Sequence, residues 1–144
     1  MICMLDFSGV MVYNRNGRAG EARVDTMRSV MENAAKGQDF HLLLSDFLDA
    51  FYRADAPVRQ AMINARPDEA APDALPYAAA ATHKLANDHG LAVPAWVFEK
   101  RCYSAQPFFG CRARGNLRLL FMYQSPTEFK HRNLFVDENV LARV

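Results

Sequence analysis

The chain has 144 residues, a formal net charge of +1, 51% hydrophobic and 23% charged residues, and ten Phe, five Tyr and one Trp. A length of this order suits one domain with a sizeable core; the composition excludes a disordered chain, and the near-zero charge excludes a protein built mainly to neutralise nucleic acid. Cys3, Cys102 and Cys111 follow no repeating spacing, which excludes a disulfide framework and points to a reducing, cytoplasmic compartment.

Residues 1–23 are expected to be a poorly structured N-terminal segment. A short apolar stretch, Phe7 to Tyr13, runs into Asn14-Arg15-Asn16-Gly17-Arg18-Ala19-Gly20, which has turn composition. Asp6 breaks the apolar start, and with no basic leader or small-residue cleavage site it fails as a signal peptide. No run approaches the roughly 20 apolar residues of a membrane span. Met27 and Met31 sit where the helical pattern begins, so the physiological start is hypothesised to lie there; finding Met1 by N-terminal mass spectrometry of the native protein would sink that idea.

Residues 24–144 are expected to form one compact multi-helix domain, mostly α, with room for a short strand or hairpin. Val24 to Ala35 reads as a short helix ended by Gly37. Asp39 then caps the clearest helix, on which Phe40, Leu43, Leu44, Phe47, Leu48 and Phe51 recur every three or four residues and form a core stripe. Asp55 caps a helix to Ala65 that carries Pro57 in its first turn. Residues 67–73 have linker composition, and Asp73 is positioned to start a helix with Pro76 in its first turn. The alanine run Ala78 to Ala81 favours close packing, and Gly90 with Leu91 reads as that helix's C-terminal cap.

Pro94 to Phe98 predicts a short helical turn and Tyr103 to Gly115 a loop. Leu117 to Tyr123 is strongly apolar, but too short for periodicity to separate helix from strand. Ser125-Pro126-Thr127-Glu128 has the form of a capping box, with Ser125 and Glu128 exchanging backbone bonds and Pro126 in the first helical position. Phe129 falls on its inner side, and Asp137 caps a last short helix bearing Val140, Leu141 and Val144. No repeat at solenoid periods is visible.

The charges are uneven. Gly37 to Asp73 holds seven acids (Asp39, Asp46, Asp49, Asp55, Asp68, Glu69, Asp73) against three bases, whereas Lys100 to Arg132 holds seven bases (Lys100, Arg101, Arg112, Arg114, Arg118, Lys130, Arg132) against Glu128 alone. Solvated faces, or two segments lying against each other, account for this without a ligand. The basic segment also interleaves Tyr103, Phe108, Phe109, Phe121, Tyr123 and Phe129, a mixture that suits stacking on single-stranded bases. Phe121 and Phe129 fit a core better, leaving Phe108 and Phe109 as interface anchors.

Motifs for chemistry are missing: no phosphate-binding glycine loop, no nucleophile elbow, no His-Glu-x-x-His and no Cys-x-x-Cys. Cys102, Cys111, His89 and His131 match no common zinc spacing. Asp46 and Asp49 read as a solvated helix face rather than a metal or proton pair. His41 and His83 have no carboxylate or nucleophile beside them in sequence. The expectation is therefore no catalytic residue, no metal and no cofactor.

Val93-Pro94-Ala95-Trp96-Val97, the aromatic pair in Pro107-Phe108-Phe109, and the long block from Ser125-Pro126-Thr127-Glu128-Phe129-Lys130-His131-Arg132-Asn133 through Leu134-Phe135-Val136-Asp137-Glu138-Asn139-Val140-Leu141 carry a resemblance. This second part of the chain, from Leu91 on, resembles a bacterial family of small antitoxin-like proteins and domains. In some relatives the region follows a helix-turn-helix domain and accompanies a nucleotidyltransferase-like toxin. The first half here departs from that pattern, since Asp55-Ala56-Pro57 joins its helices without a glycine-bearing recognition turn, which counts against direct promoter binding. The resemblance implies a non-enzymatic protein that binds and restrains a cognate toxin. Trp96, Phe108, Phe109, Arg132 and Asn133 would form the partner face or clamp the loop from Tyr103 to Gly115; alternatively, Arg132 and Asn133 cap the helix beginning at Ser125. A nucleic-acid-binding module in the basic half and a small-molecule-binding domain with a pocket under Trp96 are the alternatives, and a homo-oligomer stays open.

Overall fold

A computed structural model describes residues 26–68 and 70–142, together with 4–5 and 11–12. The described residues are mostly helical, with six α-helices and two small two-stranded sheets. No described helix is long and apolar enough to cross a membrane. The chain divides into two compact units, Met1–Ala70 and Ala71–Val144.

In the first unit, β1 (Met4–Leu5) pairs antiparallel with β2 (Met11–Val12). The remaining expectations for residues 1–23, and residues 24–25 of the first predicted helix, lie outside the described residues. Helix α1 (Met27–Ala35) begins at Thr26, whose hydroxyl accepts the Ser29 N–H, and Gly37 stops it at φ +100°, a region where a side chain would be strained. Helix α2 (Phe40–Arg53) is capped by Asp39, which accepts from the N–H groups of His41 and Leu42. Five residues of its predicted stripe, Leu43, Leu44, Phe47, Leu48 and Phe51, are buried. Phe40 is a correction: it is only half-buried, since at the first helical position it has no preceding turn of α2 to lean on. Each fully buried Phe or Leu contributes on the order of 1.5–3 kcal/mol relative to exposure.

Helix α3 (Ala56–Asn64) starts at Asp55, whose carboxylate accepts the Val58 N–H, with Pro57 in the first turn. Arg59 on α3 turns back to α2, donating Nε to the Phe51 carbonyl at 2.9 Å and Nη2 to that of Tyr52 at 3.1 Å. Its guanidinium also stands 5.2 Å from the Phe51 ring centroid. One side chain thus gives the Tyr52 carbonyl a donor near the end of α2 and adds a second donor to the Phe51 carbonyl, which also accepts the Ala54 N–H.

The second unit is built on α4 (Leu75–Asp88). Ala78, Ala79, Ala80 and Ala81 are all fully buried. Small side chains allow this close approach, and α4 packs against α6 (Thr127–Lys130) and the 3-10 turns Ala95–Phe98 and Lys100–Cys102. Asp73 does not cap α4; the cap position falls on Ala74 without a side-chain bond, because the turn over 72–74 moves the start one residue on. At the other end Gly90 takes φ +66° and the Leu91 N–H reaches back to the Ala86 carbonyl at 2.8 Å, the bond expected of a left-handed helix cap.

The segment 103–115 is not all loop. β3 (Phe108–Phe109) pairs in parallel with β4 (Leu134–Phe135), in register Phe108 to Leu134 and Phe109 to Phe135, and a 3-10 turn follows at Gly110–Arg112. Leu117 to Tyr123 is resolved as helix, within α5 (Asn116–Gln124). The final expected helix is instead a turn over 138–141, in which Asp137 accepts the Asn139 N–H at 2.8 Å. An aspartate bonding two residues ahead closes a tight turn rather than opening a helix.

The predicted capping box is also corrected. The cap position of α6 is Pro126, with no side-chain bond. Ser125 closes α5 instead: its hydroxyl accepts the Val136 N–H at 2.7 Å, and its one proton is shared between the carbonyls of Phe121 and Val136. Glu128 accepts from Asn87 Nδ2 at 3.2 Å. Val136 is buried, so an unmade bond to its N–H would cost more than one at an exposed helix start that water can serve.

Candidate functional site

Two features of the second unit stand out, a buried arginine and an exposed helix. Arg132 is 1% exposed. Its Nη1 donates to the Glu128 carbonyl at 2.8 Å, its Nη2 to the Val97 carbonyl at 2.9 Å, and Tyr103 lies over the guanidinium at 5.0 Å. Nε finds no acceptor among the described residues. Nη1 also meets His83 Nδ1 at 3.2 Å; because a guanidinium cannot accept, Nδ1 is the acceptor and the imidazole carries its proton on Nε2. Burial, reinforced by the Arg132 charge, holds His83 below its ordinary pKa against the opposing pull of Glu128. Burial likewise lowers the pKa of Arg132, against the favourable fields of Tyr103, Cys102 and Glu128.

Backbone bonds extend this hub. Ser104 N–H donates to the Arg132 carbonyl at 3.2 Å and Phe108 N–H to the Asn133 carbonyl at 3.0 Å. Asn133 sits at φ +67°, a left-handed position that Asn tolerates better than most residues, and its Nδ2 reaches the Ser104 carbonyl at 3.5 Å. Arg132 and Asn133 therefore tie residues 103–108 to the turn after α6.

Of the five residues predicted for a partner face, Arg132, Asn133 and Phe108 come together around this loop. Phe108 is 43% exposed and meets Tyr77 edge-on. Phe109 turns the other way, half-buried, stacked on Phe135 and covered by Arg118 at 4.7 Å. Trp96 is buried, and its carbonyl accepts from the Cys102 thiol at 3.3 Å. Buried side chains such as Trp96 and Arg132 shape a surface without being its contact atoms.

The exposed feature is α5. Leu117, Leu119, Leu120, Met122 and Tyr123 are all exposed, Leu119 at 63% and Tyr123 at 83%, while Phe121 alone among the residues of α5 is buried. None of the five entered the predicted set. The available signal was the run itself: apolar residues at 117 and 119–123 point in more directions than one buried stripe of a nine-residue helix can take up. Among the described residues no group of three or more His, Cys, Asp and Glu is placed to hold a metal; Cys102 is buried and Cys111 exposed.

Comparison with family models, curated proteins and solved structures finds no match.

Proposed function

We propose that this chain is a non-enzymatic, antitoxin-like protein that binds and restrains a cognate protein toxin. The observation that carries the binding part is the exposed apolar surface of α5, since contiguous exposed apolar patches on a folded unit mark sites of association. The toxin as partner comes from the antitoxin-like resemblance of residues 91–141. Most of that surface favours protein over nucleic acid: Leu117, Leu119, Leu120 and Met122 offer neither the π face on which bases stack nor a hydrogen bond to a base edge, and of the five exposed residues Tyr123 alone offers either.

Co-expression with the product of the neighbouring gene tests the proposal. A complex that co-elutes on size exclusion, together with rescue of growth from that product, is expected. Separate elution and no rescue would remove the antitoxin reading.

A further inference from the structure

We infer that α5 seats in an apolar groove of a different protein that carries carboxylates at the end receiving Arg112 and Arg114, an inference that rests on the protein-binding reading above. The nine residues of α5 include no acid. Cations bracket the helix instead. Arg112 and Arg114 precede it and Arg118 lies in its first turn, all exposed and none paired with a carboxylate among the described residues; the Arg118 Nε bonds the Ala113 carbonyl. At the far end the Lys130 ammonium donates to the Tyr123 carbonyl at 2.8 Å.

The two ends are electrostatically unlike. Lys130 complements the negative C-terminal pole of α5, whereas the arginines crowd a pole that is already positive. The backbone keeps them there: Cys111 and Arg112 occupy consecutive left-handed positions, at φ +53° and +51°, which cost non-glycine residues free energy. Carboxylates facing Arg112 and Arg114 would offset the unfavourable charge, and the leucines between would lose their water.

A second copy of this chain fits poorly. Parallel pairing of two α5 helices sets one arginine cluster on the other, and antiparallel pairing sets it on Lys130. Both bring like charges together at the rim, a recognised device against a wrong partner. A helix of this length spans about 13 Å and matches the helix-in-groove mode, in which residues three and four apart fill successive pockets. It would form the centre of a patch of about 800 Å² on each side.

The test places a photo-reactive residue at Leu119 in the full-length chain, expressed in its native host, with the same residue at exposed Lys36 as control. Circular dichroism checks that both variants fold. The cross-linked protein is then identified and purified, and its affinity measured against salt. The expected result is a position-119-specific adduct with one other protein, binding weakened about tenfold or more by Leu119→Asp, in line with loss of a central anchor. The double variant Arg112→Glu, Arg114→Glu should weaken binding at low salt, and by less as salt screens the pair. An adduct with nucleic acid or with a second copy overturns the inference, as does no adduct above the control. Binding indifferent to both arginines also overturns it. A toxin complex that survives Leu119→Asp would overturn the groove while leaving the protein-binding reading intact; absence of any protein complex would remove both.

Discussion

The guanidinium of Arg132 donates to His83 Nδ1 at 3.2 Å, so this buried cation leans on a neutral imidazole where a carboxylate would ordinarily stand. The pair spans 49 positions of sequence and joins α4 to the turn after α6. Protonation of His83 would place two positive charges in contact.

Stability should therefore fall with acid in a defined window. The folded pKa of His83 lies below its ordinary 6.5, so the unfolded chain takes up the proton first as pH falls. Its contribution is complete above about pH 6.5 and declines below that until the folded pKa is reached. Glu128 and His131 also act on this ring, and they remain in the variant His83→Gln. Urea titrations between pH 7 and 5 should show a smaller loss for His83→Gln than for the wild type; equal slopes would exclude His83 as the source.

Removing Arg132 leaves the carbonyls of Val97 and Glu128 without their donor and uncovers Tyr103. Two unmade bonds, one buried and one partly buried, place the loss for Arg132→Met at about 2–4 kcal/mol. Arg132→Lys should recover little, because one ammonium cannot reproduce a planar fork reaching two carbonyls. Chemical denaturation of the three proteins measures this, and full recovery by lysine would contradict the geometry.

Ser125 and Glu128 separate the observed arrangement from a capping box. Ser125→Ala strips the buried Val136 N–H of its acceptor and should cost about 1–3 kcal/mol. Glu128→Ala removes an exposed bond to Asn87 and should stay within about 0.5 kcal/mol. Similar losses from both would restore the reciprocal cap.

Along α5 the expected pattern is opposite for two positions only two residues apart. Phe121→Ala should destabilise by about 3–5 kcal/mol, as truncation of a buried aromatic does, while Leu119→Asp should leave the melting midpoint nearly unchanged. Thermal unfolding followed by circular dichroism reads both, and a large loss at Leu119 would mean that the helix face is covered.

Tyr77 offers an alkaline counterpart to His83. Burial, with a smaller contribution from Cys111, raises its phenol from 10.0 to about 12. The unfolded chain releases that proton first, so stability should fall between about pH 10 and 12, by roughly 2 kcal/mol. Tyr77→Phe should flatten that loss, as followed by fluorescence in alkaline titrations; an unchanged slope would place the titration elsewhere.

The residues that the sequence determined are those whose partners lie within a few positions. Asp39 and Asp55 bond N–H groups two or three residues ahead, Gly37 and Gly90 satisfy backbone angles of their own, and the 3.6-residue spacing of Leu43, Phe47 and Phe51 defines a face before any partner is known. Tertiary structure decided the rest, because it supplies competitors that no local pattern contains. Ser125 bonds Val136, eleven residues on, rather than the helix it was placed to cap; Phe108 pairs with Leu134 in a parallel register that requires the whole intervening chain; and Arg132, a charged residue with every local reason to be exposed, is buried by carbonyls contributed from 97 and 128. The helix 116–124 belongs to the same class: its apolar residues were visible, but only the packing of Phe121 alone against the unit left the others facing outward.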